Sequence, residues 1–506
     1  MHGFRRYRGR LLRGAVIALW LGLMARLVFG EAFPGLFRVR AAGYRAWFGS
    51  VPTLSDHWMR ILVQGRPIGY SHTRVDLRTE NGRDELWLQN RMRLSLPILG
   101  RPHPVAAGAD VRLDADQRLQ RFSFQLDSDP YRFRVKGRRQ RGRRFEVEME
   151  TAAFRRIFSV EIPDDAILYS PMADAPLAQL APGREVRMRL YDPISLSSSE
   201  AIVRAIGRET IEVEGASQEA LAVQIEYRGM ESQAWIASDG RLLRQTTPFG
   251  WTLEAASARA ALDAARAAPF GGDILSAVAV PVLSGPVPDW HARALVIRLS
   301  GAPALARAGS VFPRQTVVQR ESDAVTLRLV AAPERPARET PLSDADRAHG
   351  LEKTPFIPWD HPEIERQAHA IAPDVHEPLA LAEAICEWVH AHLRKSPAVS
   401  LPSALDILRN REGDCNEHTY LFVALARARG LPARIFVGLV PNEDAFYYHA
   451  WPAVYVGEWI EMDPTLGLRR VGAGHIALAE GELEGQMALA GLLGRLRAEV
   501  SNGTGD

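Results

Sequence analysis

The feature that most constrains the fold is a succession of short apolar or alternating segments between Trp58 and about Ala255. Turn sequences such as Asn81-Gly82 separate these segments. Apolar and polar residues that alternate with a period of two are typical of a strand with one buried face. The spacing therefore predicts an antiparallel sheet that bends over itself through the whole of this region.

Composition narrows the class of protein. The 506 residues are 46% hydrophobic and 24% charged, which excludes wholesale disorder and a multi-pass membrane protein. Lysine and arginine number 62 against 60 acidic residues, so nothing in the overall charge indicates nucleic acid as a partner. The two cysteines, Cys386 and Cys415, are too few for a disulfide framework or a cysteine-rich zinc site.

The N-terminus predicts a membrane segment over residues 1–30. An uncharged stretch, 14–25, follows five arginines: Arg5, Arg6, Arg8, Arg10 and Arg13. As a helix, the twelve residues 14–25 would rise only about 18 Å, which is less than the roughly 30 Å of the hydrocarbon core of a bilayer. A longer span requires the Arg26 side chain to extend its charge towards the interface. An uncleaved anchor is favoured over a cleaved export signal, because Val28 and Gly30 match a small-residue cleavage site poorly. Both alternatives place the remaining chain outside the cytoplasm.

The chain is predicted to contain several domains. Aromatic residues and arginines alternate over 31–57, which suits either a bilayer interface or a strip packed on the first domain. The predicted organisation is a membrane anchor or signal (1–30), a juxtamembrane segment (31–57), a β-rich domain (58–260), a small second β domain (273–332), a linker (333–350), a catalytic core (352–470) and a C-terminal helical extension (471–506).

Candidate catalytic residues concentrate in the core. Gly413-Asp414 ends a loop and supplies a helix-capping residue, and an amphipathic helix follows over 419–428. Cys415 is therefore expected at, or within one residue of, a helix N-terminus. The free amides and the dipole at that position favour the thiolate, which is the reactive form of cysteine.

Two strands downstream are predicted to bring His449 and Asp463 together. A three-residue loop at 456–458 pairs Tyr455 with Trp459, and this register places His449 and Asp463 on one face as diagonal neighbours. A two-residue loop would put them on opposite faces. Cys415 would then act as the nucleophile, His449 as the base and acid, and Asp463 as the residue that orients the imidazole.

These residues carry a family resemblance. The motifs "SALDILRNREGDCNEHTYLFVALARARGLPARIFVG", "YYHAW" and "WIEMDPTLG" resemble the transglutaminase-like superfamily, in the family order Cys, His, Asp. The resemblance covers 352–467 and implies a papain-like α+β core that forms a thioester with peptide or protein substrates and uses no cofactor. The chain looks like a bacterial, membrane-anchored member with β-rich domains ahead of the core, facing the periplasm.

Some features leave alternatives open. Animal transglutaminases use a tryptophan upstream of the nucleophile, whereas 400–402 here is Ser-Leu-Pro, so hydrolysis and transamidation both remain candidate reactions. Asn416, Tyr448 and Trp451 are candidate cleft-lining residues, with helix-start or strand packing as the alternative. Trp451 would also shield the hydrogen bond between His449 and Asp463 from water.

Several residues have structural interpretations. Cys386 lies on an apolar helical stripe and is expected to pack in the core, although a disulfide with Cys415 is conceivable outside the cytoplasm. His418 is expected to be a helix-face residue, because no metal-ligand spacing surrounds it. No metal site is predicted. The alternative function is an envelope scaffold with a catalytically silent core.

Overall fold

The computed structural model describes residues 39–40, 43–44, 54–80, 82–98, 100–168, 180–228, 230–247, 250–266, 273–302, 312–336, 340–396, 401–482, 485–486, 489 and 491–501. The strands are β1 (Val39–Arg40), β2 (Ser55–Val63), β3 (Arg66–Glu80), β4 (Arg83–Ile98), β5 (Arg101–Leu113), β6 (Leu119–Ser128), β7 (Tyr131–Arg141), β8 (Arg144–Thr151), β9 (Arg155–Glu161), β10 (Ala166–Leu168), β11 (Glu185–Asp192), β12 (Ser197–Val213), β13 (Ala216–Tyr227), β14 (Met230–Ala237), β15 (Leu242–Thr246), β16 (Trp251–Ala255), β17 (Val280–Ser284), β18 (Ala294–Ser300), β19 (Gln315–Arg320), β20 (Ala324–Val330), β21 (Arg394–Lys395), β22 (Glu412–Gly413), β23 (Ala433–Asn442), β24 (Ala445–Tyr455), β25 (Trp459–Glu461), β26 (Ile476–Glu480) and β27 (Arg497–Ser501). The helices are α1 (Ala258–Arg266), α2 (Ile274–Val278), α3 (Asp344–Gly350), α4 (Pro362–Ile371), α5 (Pro378–His392), α6 (Ala404–Asn410) and α7 (Cys415–Ala428).

The first half of the described chain forms one large sheet. Its order is β1-β11-β12-β13-β14-β15-β16-β2-β3-β4-β5-β6-β7-β8-β9, with β10 beside β11. Strands that are consecutive in the chain pair antiparallel through short turns, such as β2 with β3 and β12 with β13. The β-rich region predicted from the alternating segments is thereby confirmed. Strand β7 shows the reason, because its alternate residues Tyr131, Phe133 and Val135 are buried.

This sheet begins before the predicted boundary at residue 58. Strand β1 pairs with β11, with Val39 opposite Val186, and the buried Tyr44 hydroxyl accepts a hydrogen bond from the Leu168 amide at 3.0 Å. The described part of segment 31–57 thus packs on the first domain, which was one of its two interpretations. The predicted membrane segment, 1–30, lies outside the described residues. Over the ranges that are described, no helix combines the length and the apolar character needed to cross a bilayer.

The second sheet combines two regions that were predicted to be separate domains. Its order is β19-β20-β18-β27-β17-β24-β23-β26, with β25 beside β24. Strands β17 to β20, from the predicted small β domain at 273–332, therefore join the sheet of the catalytic core and do not form a sheet of their own. The physical reason is that an exposed strand edge carries unpaired backbone groups. Strand β18 pairs with β27, and β17 pairs with β24, so these edges are hydrogen-bonded within one sheet.

Two further boundaries differ from the prediction. The linker at 333–350 contains α3, which is capped by Ser343. The extension at 471–506 was predicted to be helical, yet β26 and β27 both fall within it. Partner strands determine this outcome, because β26 pairs with β23 and β27 pairs with β18.

Helix α7 packs on β23 and β24 of the second sheet, and helices α4, α5 and α6 pack against α7. Helix α7 is the central one, and its residues Glu417 to Arg427 are buried. Thr419 donates a hydrogen bond from Oγ1 to the Ala450 carbonyl at 3.1 Å, which ties the first turns of α7 to β24. This arrangement sets the N-terminus of α7 beside the middle of β24.

Candidate active site

Cys415 is the first residue of α7, as the sequence predicted. Asp414 caps the helix by accepting a hydrogen bond from the Asn416 amide at 3.0 Å. The Glu417 carboxyl closes a capping box by accepting from the Asp414 amide at 2.8 Å. The Cys415 side chain is half-buried, and both cysteines are free. The Cys415 amide lies in the first turn of the helix, where amides have no acceptor within the helix.

The loop before Cys415 is fixed from two sides. Strand β22 pairs in parallel with β21, and the Ser396 amide donates to the Gly413 carbonyl at 3.0 Å. Gly413 has a φ of +153°, and a Cβ there would lie 2.3 Å from the Glu417 side chain. The chain therefore needs glycine at 413 to pass close to α7 and deliver Cys415 to the helix start.

His449 and Asp463 come together through the predicted register. Tyr455 pairs with Trp459, so the three-residue loop at 456–458 is confirmed. His449 Nε2 lies 2.8 Å from Asp463 Oδ2. The second ring nitrogen of His449 is not used by Asp463, and the charge of Cys415 acts on the His449 imidazole. Cysteine, histidine and aspartate thus belong to one site, in which the His449–Asp463 hydrogen bond is formed.

Asp463 is a fully buried carboxylate with four hydrogen-bond donors around it. The Thr465 and Leu466 amides donate to Oδ1 at 2.8 and 3.1 Å. His449 and His475 approach Oδ2 at 2.8 and 3.1 Å. Burial by itself would raise the pKa of Asp463, but the charge of His449 and the hydrogen bonds of both imidazoles hold it well below its ordinary value. The group is therefore ionised across the physiological range.

The same contacts favour the charged form of His449. Burial opposes the imidazolium, but the charges of Asp463 and Cys415 and their hydrogen bonds raise the pKa of His449 to about 10. An imidazolium beside a sulfur is the arrangement that stabilises a thiolate. Burial and the charge of Asp414 raise the pKa of Glu417 well above its ordinary value, which favours the uncharged form of its carboxyl group.

A second layer of buried polar residues was not predicted from the sequence. Arg314 forms a buried ion pair with Glu461 at 2.7 Å, and Glu461 accepts a hydrogen bond from the Trp451 indole at 2.8 Å. His475 contacts the Asp463 oxygen that His449 also contacts. Arg314 and His475 lie outside the three motifs, so only their contacts identify them.

The three candidate cleft residues have different surroundings. Asn416 is half-buried and accepts a hydrogen bond from the Gln486 amide group at 2.9 Å. Tyr448 is half-buried and donates from its hydroxyl to the Leu492 carbonyl at 2.9 Å. Trp451 is fully buried, so it lies behind His449 and does not line an open cleft. Its ring stacks near that of His449, with centroids 6.2 Å apart, because β24 places both side chains on one face.

The residues with structural interpretations also have clear positions. Cys386 is buried, and its thiol donates to the Leu468 carbonyl at 3.6 Å. Burial raises the pKa of the Cys386 thiol, which keeps it in the unreactive form. His418 is buried on the inner face of α7 and donates from Nδ1 to the Asp414 carbonyl at 2.7 Å. Burial lowers the pKa of His418, as expected for a neutral helix-face residue.

His449, Asp463 and His475 also form a set of donors that could hold a metal ion. One ligand atom from each lies within 4.8 Å of the other two. Two imidazoles and a carboxylate suit a transition metal. Asp463 Oδ2, however, already lies at hydrogen-bond distance from both ring nitrogens, which is the geometry of shared protons.

A family model matches part of this region. Residues 366–464 match the model of the transglutaminase-like superfamily core, so the chain carries a transglutaminase-like core. An uncharacterized protein of Mycobacterium leprae is 31% identical over 100 residues, which cover 18% of this chain and 36% of that protein. This chain therefore matches about a third of the length of that curated relative.

Solved structures show weaker similarity. A candidate cysteine protease from Cytophaga hutchinsonii is 18% identical, with a TM-score of 0.28, over 42% of this chain and 84% of that one. A candidate protease from Parabacteroides distasonis is 12% identical, with a TM-score of 0.19, over 75% of this chain and 63% of that one.

Proposed function

We propose that the chain is a cysteine-dependent amide hydrolase or acyl transferase that acts through a thioester. The observation that carries the proposal is the His449–Asp463 hydrogen bond at 2.8 Å, together with Cys415 at the start of a buried helix, where its charge acts on His449. This set supplies a nucleophile, a proton carrier and a fixed negative charge. Peptides and proteins are the proposed substrates, since the match to the transglutaminase-like core supports amide chemistry.

The proposed reaction has two steps. The Cys415 sulfur attacks the carbonyl carbon of the amide, and His449 gives its proton to the leaving amine as the carbon–nitrogen bond breaks. The Cys415 amide, in the first turn of α7, is a candidate donor to the oxyanion. Water or a second amine then attacks the thioester, His449 takes the proton of the attacking group, and the thiolate is released. Asp463 stays ionised throughout and holds the imidazole.

A thiol-labelling experiment tests the proposal. Iodoacetamide is applied near neutral pH to the full chain, and the peptides that contain Cys415 and Cys386 are quantified by mass spectrometry. We expect Cys415 to react much faster than the buried Cys386, and His449→Ala to slow the labelling of Cys415 strongly. Equal labelling of Cys415 in the wild-type and His449→Ala proteins would overturn the proposal. Supplying a glutaminyl peptide with and without a primary amine then distinguishes hydrolysis from transamidation by product mass.

The second candidate function is an envelope scaffold with a silent core. It is favoured only by the size of the first sheet, which exceeds what an acyl-transfer site requires. The same labelling experiment distinguishes it, because a scaffold needs neither an activated Cys415 nor an effect of His449 on the sulfur.

We also propose an extracytoplasmic location, with attachment to a bacterial inner membrane through residues 1–30. The arginines and the uncharged stretch at the N-terminus support this placement. We expect the protein to sediment with membranes and to be digested by protease added to spheroplasts. Recovery in the cytoplasmic fraction, protected from protease, would contradict it.

A further inference from the structure

His475 occupies a position that the proposed reaction does not yet use. It follows the core motifs and is fully buried. Its Nε2 lies 3.1 Å from Asp463 Oδ2, the oxygen that also contacts His449. The two imidazole rings are nearly perpendicular, with centroids 6.2 Å apart. Asp463 is therefore held between two histidines.

The acceptor positions of Asp463 explain why a second imidazole matters. An ionised carboxylate offers about four positions for hydrogen-bond donors. The Thr465 and Leu466 amides take the two on Oδ1, and His449 and His475 take the two on Oδ2. With all four filled, the plane of the carboxylate cannot rotate without breaking a hydrogen bond.

The backbone and ring of His475 are themselves fixed. Arg314 donates to the His475 carbonyl at 3.0 Å, and the His475 amide donates to the Gly472 carbonyl at 3.2 Å. The ring meets the Trp451 indole edge to face, with centroids 5.2 Å apart. Burial lowers the pKa of His475, so the ring is neutral and donates its Nε2 proton. Its Nδ1 atom is buried without a hydrogen-bond partner among the described residues, which agrees with that tautomer.

We propose that His475 is a positioning residue of the proposed active site: its Nε2 proton fixes the Asp463 carboxylate in the plane that orients His449 towards Cys415. The inference rests on the proposed function. His475 does not contact the reacting sulfur, and it acts through Asp463. Loss of its donor should therefore weaken the nucleophile–base pair and leave the binding of substrate unchanged.

Several charged and titratable groups belong to the site or act on its residues. Helix α7 and its cap contribute Asp414, Glu417 and His418, and other elements contribute Asp463, His475, Arg314, Glu461, Cys386 and Lys395. Among these, Asp463 is the group that bonds to His449 on the side away from the sulfur, and His475 bonds to Asp463. A change at His475 should thus reach the sulfur through Asp463 and His449.

The test compares three variants of the full chain. His475→Phe keeps a ring of similar size and removes the donor, whereas His475→Gln can place an amide donor close to the original Nε2. His392→Phe is the matched control, because His392 is exposed and its ring stacks on Trp388. The rate of Cys415 alkylation by iodoacetamide is measured from pH 4 to pH 10, with Cys386 as the internal reference. Turnover of a peptide amide gives kcat and KM separately.

We expect His475→Phe to move the acid limb of the alkylation profile up by about one to two pH units, because loss of one hydrogen bond to a charged group corresponds to about 10- to 100-fold in an equilibrium constant. On that limb Cys415 alkylation should fall by about the same factor, and kcat should fall with it. KM should not change. The Gln variant should recover most of the rate, and His392→Phe should match the wild-type protein.

Each other outcome counts against the inference. An acid limb in His475→Phe that coincides with the wild-type limb, or moves down, would overturn it. Equal losses in the Phe and Gln variants would show that the donor is not what matters. Should His475→Phe not fold, His475→Asn replaces it, because the shorter amide cannot reach the Nε2 position. If His449→Ala leaves the alkylation of Cys415 unchanged, the proposed function itself fails.

Discussion

Replacement of Asp463 by asparagine is the sharpest test of how Asp463 and His449 act on Cys415. The Asp463→Asn side chain would keep an oxygen for the Thr465 and Leu466 amides and would put an amide group where Oδ2 contacts His449 and His475. His449 would then have to accept at Nε2 and carry its proton on the nitrogen that faces Cys415. An imidazole in that tautomer cannot take a proton from the sulfur.

The size of the effect follows from the pKa of His449. It is raised from 6.5 to about 10, which corresponds to about 5 kcal/mol because a tenfold change in an equilibrium constant is about 1.4 kcal/mol. Burial works against this rise, and the Asp463 charge is the largest favourable cause. If Asp463 supplies about half of the rise, its loss should lower the equilibrium constant of the thiolate–imidazolium pair by about 50-fold, and the rate of Cys415 alkylation at pH 7 should fall by up to that factor.

The assay is the iodoacetamide rate at Cys415 from pH 4 to pH 10, read against Cys386 in the same sample. The wild-type protein should stay reactive well below neutral pH, whereas Asp463→Asn should react only as the solution becomes alkaline. Asp444→Asn, in the exposed loop between β23 and β24, is the matched control and should leave the profile unchanged. Superimposable profiles for wild-type protein and Asp463→Asn would refute the reasoning.

The shifted pKa values of Asp463 and His449 also predict how the free energy of unfolding depends on pH. The pKa of Asp463 is lowered, so its contribution is present above its ordinary value of 3.8 and is lost as the pH falls. The pKa of His449 is raised, so its contribution is complete below 6.5 and is lost as the pH rises through about 10. The difference in the free energy of unfolding between wild-type protein and Asp463→Asn should therefore be largest between pH 4 and 6.5. Urea titrations at pH 3, 5.5 and 10 measure it, and a difference that does not vary with pH would contradict the assignment.

Two further substitutions test the surroundings of the site. Gly413→Ala would place a Cβ 2.3 Å from the side chain of the capping glutamate in α7. Because this clash would displace the loop that leads to Cys415, we expect slower labelling of Cys415. Labelling at the wild-type rate would count against the close approach of the loop to α7. Arg314→Met leaves the buried Glu461 carboxylate unpaired, which should cost about 3–5 kcal/mol of unfolding free energy in urea. Arg241→Met, at an exposed ion pair, is the control and should cost less than about 1 kcal/mol of unfolding free energy. Similar losses of unfolding free energy in the Arg314 and Arg241 variants would contradict the interpretation of Arg314 and Glu461 as a buried ion pair.

Local sequence patterns predict the elements whose main contacts join residues close together in the chain. The alternation within strands predicts the first sheet, because most of its strands pair with their neighbours in the chain. The Asp414 cap places Cys415 at the helix start, and the loop at 456–458 fixes the register that brings His449 to Asp463. In each case the determining contacts join residues that lie close together in the chain.

Contacts between distant parts of the chain could not be predicted in this way. Strand β27 pairs with β18, from the other end of the second sheet's sequence, and its short sequence carries no signal of that partner. Arg314 reaches Glu461 across 147 positions. His475 has no motif of its own, and only the three-dimensional position of Asp463 distinguishes it from a histidine in the core. The second layer of the site therefore required the structure.

The first sheet bears directly on the nucleophile, which argues against treating it as a detached module. The Tyr131 hydroxyl donates to the carbonyl of Glu412, in the strand that leads to Cys415. The buried Asp406 carboxylate accepts at Oδ1 from the Thr151 hydroxyl at 3.0 Å and from the Ala153 amide at 2.6 Å. These contacts connect β7 and the end of β8 to α6 and the loop that precedes the nucleophile.

Thr151→Val tests this coupling with little change of shape. It removes one donor from the buried Asp406 carboxylate, which should cost about 1.5–3 kcal/mol of unfolding free energy, the range for a hydrogen bond to a charged group. Thr210→Val, at an exposed position of β12, is the control and should cost much less. Because the same interface holds the loop before Cys415, labelling of Cys415 should also slow in Thr151→Val. Equal stability of the two variants would mean that the sheet and the core do not depend on this contact.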